Sequence, residues 1–150
     1  MKKILLTAAL AVAVITSSFA SDINAKVDKR IQTAFQKEFA SAFNPTWESI
    51  GEGLMHVTFT QNGEVMDAYY NDDAQLVSFA RYVESDQLPF LVNKALNEKF
   101  KDAKITDIRE LVSQNETSYL VTARKQDKVV VARVYPSGSI QIVKKVKNGK

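Results

Sequence analysis

The chain has 150 residues, with 20 Lys and Arg, 17 Asp and Glu, one histidine and no cysteine, and a formal net charge of +3. The missing cysteines exclude thiol catalysis, thiolate metal sites and disulfide exchange. The near-balance of charge excludes the dense basic surface that nucleic-acid binding requires.

Lys2 and Lys3 precede an apolar run from Ile4 to Ile15 that is broken only by Thr7. Ser18-Phe19-Ala20 then places small residues ahead of a cleavage point, the pattern of a signal peptide over residues 1–20 cut before Ser21. The run is short of the ~20 apolar residues that span a bilayer. Cleavage removes two lysines and leaves 18 basic against 17 acidic residues. The expected location is the periplasm or the exterior, with no membrane span after cleavage. No cysteine follows the apolar run, so lipid attachment there is excluded.

Val27, Ile31, Ala34, Phe35, Phe39 and Ala42 lie at the spacing of one helical face. Asn24 suits an N-cap, and Asn44-Pro45 forms a stop, which predicts a helix near 25–43. Trp47 opens a strand-like stretch, and Met55, Val57 and Phe59 then alternate with His56, Thr58 and Thr60, as in a strand with one buried face. Asn62-Gly63 predicts a hairpin, since both residues accept positive φ. Further strands are expected over 64–71 and 75–83, with a polar turn between them.

Leu88, Val92, Ala95, Leu96, Phe100 and Ala103 form a second helical face, each 61 positions after its counterpart in the first. Asp86 suits its cap, and the helix is expected near 88–101. Ile108 keeps the spacing of 61 from Trp47, while Tyr119, Val121 and Ala123 stand 64 after Met55, Val57 and Phe59. Strands over 128–135 and 139–146 complete the series. The expected fold is α+β, a tandem repeat in which each unit is one helix followed by about four antiparallel strands. The units would span 22–84 and 85–147, packed as one body with the helices on one side of the sheet.

Phe39, Trp47-Glu48, Val57-Thr58-Phe59, Asn62-Gly63, Ala68-Tyr69-Tyr70 and Asp72-Asp73 together resemble the PepSY-like family of exported bacterial proteins, related in fold to the β-lactamase inhibitory protein. Phe100, Val121, Ala132, Tyr135 and Gly138 repeat a weaker version. The resemblance implies helices on one side of antiparallel sheets, and a concave opposite face like the one with which the inhibitory protein grips its partner. This chain lacks that protein's disulfide cysteines and shows no match to its inhibitory loops. No inhibitory residue is carried over.

A catalytic triad would have to use His56, and no Gly-x-Ser-x-Gly elbow is present. Strand parity puts His56 on the open face as a plain surface histidine. One histidine cannot anchor a zinc site, and Asn71 to Ala74 carry no calcium-loop pattern. Phosphate and dinucleotide fingerprints are absent, so no metal or cofactor is expected. Parity also directs Tyr69, Phe79, Arg81, Arg133 and Tyr135 onto the face without helices, where aromatic and Arg side chains suit a partner interface. An error of parity by one residue would send them to the core instead. The expected function is a non-catalytic binding module for an exported protein, such as an inhibitor or modulator. The second reading is a structural or envelope-stress protein that self-associates through its sheets.

Overall fold

Asp28 starts the first helix. Its carboxylate accepts the Arg30 N–H at 2.7 Å, satisfying one of the donors that a helix N-terminus leaves unpaired. The computed structural model describes residues 22–23, 26–51, 53–114 and 116–147. The signal peptide and the Asn24 cap lie outside them. Helix α1 spans Lys29–Glu38, shorter at both ends than the expected 25–43. Helix α2 spans Phe90–Lys99. Asp86 belongs to a 3-10 turn over Ser85–Gln87, and Pro89, which cannot donate a backbone hydrogen bond, precedes α2 instead.

The strands are β1 (Asp22–Ile23), β2 (Phe43–Ser49), β3 (Leu54–Gln61), β4 (Glu64–Asn71) and β5 (Leu76–Tyr82) before α2. After it come β6 (Lys104–Ser113), β7 (Glu116–Lys125), β8 (Lys128–Val134) and β9 (Ile140–Lys147). All nine form one sheet in chain order, and every pairing is antiparallel. Asn62 and Gly63 close the β3–β4 hairpin with φ of 52° and 83°, the positive angles expected there.

The tandem repeat is thereby corrected. β5 pairs with β6 from Ser78↔Ser113 to Tyr82↔Arg109, so the strands on either side of α2 are one continuous antiparallel sheet, not two helix-plus-four-strand units. Two separate sheets would each have left a row of unpaired N–H and C=O groups at that seam; direct pairing satisfies both rows. The 61-residue spacing marks something narrower. Phe39 N–H donates to Phe35 O and Phe100 N–H donates to Leu96 O, each at 2.8 Å. It locates two helix ends, not two units.

Both helices stand on one face of the sheet. Ile31 and Phe35 of α1 join Val57, Phe59, Ala68 and Tyr70 in one core cluster, with Phe39, Trp47 and Phe79 packed against it. The Phe35 and Phe59 rings meet edge to face at 5.0 Å, and Phe39 lies 4.7 Å from Phe59 and 6.4 Å from Phe79. Such pairs add about 0.5–1.5 kcal/mol each beyond area burial. Val92 and Leu96 of α2 join Ile108, Tyr119, Val121 and Val134 in the second cluster. Between the clusters, Arg81 Nε donates to Glu110 Oε2 at 2.7 Å, and Tyr119 Oη donates to Glu110 Oε1 at 3.3 Å.

Candidate functional site

Cross-strand partners share a face, so the register identifies what lies opposite the helices. His56 pairs with Tyr69, and Tyr69 with Ser78. Thr58 pairs with Asp67, and Asp67 with Ala80. Tyr82 pairs with Arg109, Arg109 with Leu120, Leu120 with Arg133, and Arg133 with Gln141. None of these residues belongs to either core cluster. We call this the far face.

Of the five expected interface residues, the far face holds Tyr69 and Arg133, with Tyr135 at its rim, where Tyr135 Oη donates to Gln141 Oε1 at 3.3 Å. Phe79 and Arg81 are corrected. Phe79 packs on the α1 cluster, and Arg81 bonds Glu110 on the helix side. A bulge explains the error: Tyr69 pairs with Ser78 but Tyr70 with Leu76, so one extra residue of β5 reverses the parity of an uninterrupted count. Tyr69 is on the expected face but only 2 % exposed, stacked at 4.7 Å beneath the His56 ring. It supports the surface rather than forming it.

His56 is not a plain surface histidine. Its Nε2 lies 2.8 Å from Asp67 Oδ1, and its Nδ1 lies 3.3 Å from Glu48 Oε2. Asp67 Oδ1 also accepts the Thr58 hydroxyl at 2.8 Å, and Arg109 Nη1 donates to Oδ2 at 3.2 Å. Arg109 reaches Asp107 at 3.7 Å and covers the Tyr82 ring at 4.5 Å from its centroid, a cation–π geometry. The Tyr82 hydroxyl accepts a hydrogen bond from Arg109 Nη2. A single acid, Asp67, thus gathers three donors from β3 and β6.

Burial alone would pull the His56 pKa down, but the hydrogen bonds and charges of Asp67 and Glu48 outweigh it and hold it above the usual histidine value. Burial pushes the Asp67 carboxyl up, and the bonds from His56 and Thr58 together with the charges of His56 and Arg109 bring it below the ordinary range. The charged pair is the favoured state. Both imidazole nitrogens face carboxylates, and Nε2 also lies 3.4 Å from the Thr58 hydroxyl, which itself donates to Asp67 Oδ1.

The network was missed in the sequence, although one signal was present. Asp67 is an acid in the middle of a strand, where Asp is disfavoured, at the same parity as Tyr69. Among the described residues, no group of three or more His, Cys, Asp or Glu has a geometry that would hold a metal ion. Among the same residues, no helix is long and apolar enough to cross a membrane.

No family model matches the chain, and no curated protein matches it either. Solved structures do match its fold. A BLIP-like protein of Bacteroides fragilis superposes with a TM-score of 0.70 at 22 % identity, over 82 % of this chain and 89 % of that one. A candidate periplasmic protein of Bacteroides eggerthii gives 0.73 at 16 % identity, over 82 % and 90 %. A DUF2874 family protein of Bacteroides uniformis gives 0.71 at 17 %, over 81 % and 89 %. At these identities the likeness is one of fold: the chain has the BLIP-like architecture.

Proposed function

We propose that this is an exported, non-catalytic binding module of the PepSY-like kind, which engages another exported protein with the far face of its sheet. The carrying observation is the grouping of Tyr82, 46 % exposed, with Arg109, Arg133 and Tyr135 on the sheet face opposite both helices. Tyr and Arg offer large contact areas with polar ends, which suits a surface that is wet when free and buried when bound. The network around Asp67 holds Arg109 and Tyr82 in place, so little side-chain freedom is left to lose on association. The BLIP-like fold and the candidate periplasmic neighbour are compatible with this reading.

Self-association through the sheet is the weaker alternative. The outer strand β9 carries Lys144, Lys145 and Lys147, charges that discourage edge-to-edge pairing. Capture from envelope extract tests the proposal, with the signal-free chain as bait and Tyr82→Ala and Phe90→Ala as variants. Loss of a captured protein with Tyr82→Ala alone is expected. Loss with the helix-side Phe90→Ala alone, or a concentration-dependent dimer that Tyr82→Ala abolishes, would replace the proposal.

A further inference from the structure

Four arginines lie on strands β5 to β8, and two of them have their acids at hand. Arg81 bonds Glu110, and Arg109 bonds Asp67 and reaches Asp107. Arg133 has none. It makes no hydrogen bond or ion pair among the described residues, and its Nε is buried without a partner. A desolvated guanidinium N–H without an acceptor is costly, and a carboxylate is the acceptor whose planar geometry fits it best.

The surroundings of Arg133 share its sign. Lys144 pairs with Val131 two residues along β8, and Arg124 pairs with Val129 two residues further. Both are exposed and neither makes an ion pair among the described residues. β8 and β9 place no acid on this face, and the one acid of β7 there, Glu116, stands at the strand's opposite end. Val129 pairs with Val146, itself 37 % exposed, so the cations rise beside apolar ground. Elsewhere on the far face, Glu48, Asp67 and Asp107 balance His56 and Arg109.

We infer that the β7–β9 half of the far face docks an acidic segment of a partner protein, with one carboxylate on Arg133 and apolar side chains over Val129 and Val146. The inference rests on the proposed binding face and adds the chemistry of what it binds. A nucleic acid fits less well, because the cations are few, flanked by Asp107 and Glu116, and interleaved with valines rather than with stacking aromatics.

Fluorescence anisotropy of the signal-free chain with a labelled peptide of alternating Glu and Val tests it, with a Gln-for-Glu peptide and oligodeoxythymidine as comparators. The Glu peptide should bind, and the Gln peptide should bind at least about tenfold more weakly. Arg133→Gln should cost about the same factor, while Lys94→Gln on α2 should cost nothing. Lys144→Gln, at an exposed position, serves if Arg133→Gln disturbs the circular dichroism. Equal binding of the two peptides, binding of oligodeoxythymidine as tightly as the Glu peptide, equal loss with Lys94→Gln, or no binding would each overturn the inference. Envelope capture separates the levels. A partner lost with Tyr82→Ala but retained with both Arg133→Gln and Lys144→Gln removes the acidic segment and leaves the binding face standing; a partner retained in all three removes both.

Discussion

His56 and Asp67 stand diagonally across the β3–β4 ladder, and the imidazole Nε2 comes within 2.8 Å of the carboxylate. The pair is only partly exposed, with His56 at 17 % and Asp67 at 9 % of side-chain surface. Water therefore screens it less than a surface ion pair.

Stability should fall as pH rises through neutrality. His56 has its pKa raised in the folded state, so its contribution is complete below the unfolded value of about 6.5 and is lost as pH climbs through the higher native value. Thermal melts from about pH 6 to about pH 8.5 should show a falling midpoint, and His56→Gln should flatten that slope. An identical slope in the variant would assign the effect to other groups. Asp67, lowered in the fold, acts at the other end, where its contribution is present above about pH 4 and is lost on further acidification.

Removing the hub should cost more than removing a spoke. Asp67→Ala leaves His56, Thr58 and Arg109 without their shared acceptor and should destabilise by about 2–4 kcal/mol. Thr58→Val, which deletes one hydroxyl bond, should cost about 1 kcal/mol. Urea unfolding of the two variants gives the comparison. Equal midpoints would mean that the three bonds do not act through one carboxylate.

The helix-side aromatics predict a second ordering. Phe35→Ala, at a position 4 % exposed among three aromatic rings, should cost about 3–5 kcal/mol. Phe79→Ser should also lower the melting temperature, because Phe79 packs on that core and not on the binding face. A Phe79→Ser variant that melts with the parent would return Phe79 to the far face and discredit the β4–β5 bulge.

Processing is open to mass spectrometry. Lys2, Lys3 and the apolar run to Ile15 predict cleavage after Ala20, so exported protein should begin at Ser21. An intact 150-residue chain in the membrane fraction would contradict it.

The features legible in the sequence are those whose causes are local. Helical faces show as Ile31 with Phe35 and as Val92 with Leu96, four residues apart, and the hairpin shows as Asn62-Gly63. The union of the strands into one sheet depends on β5 meeting β6 across an intervening helix, and no short-range pattern encodes that meeting. The misplacement of Phe79 and Arg81 has a similar origin. Alternation is readable only while the register is unbroken, and the bulge that breaks it between Tyr69 and Tyr70 arises from pairing with β5. The network around Asp67 was hidden for a third reason. His56 and Asp67 are eleven residues apart and meet only because the hairpin folds one strand onto the next.

The chain-ordered sheet also bears on how the molecule forms. Every strand from β2 onward pairs with the one that precedes it, and only the steps from β1 to β2 and from β5 to β6 must close over a helix. A chain emerging from its N-terminus can therefore add strands in the order they appear, each closing a short loop on an edge already present. The entropic cost of closure stays small at each such step. Collapse need not await the last residues, and the growing edge stays open until β9 arrives with its lysines.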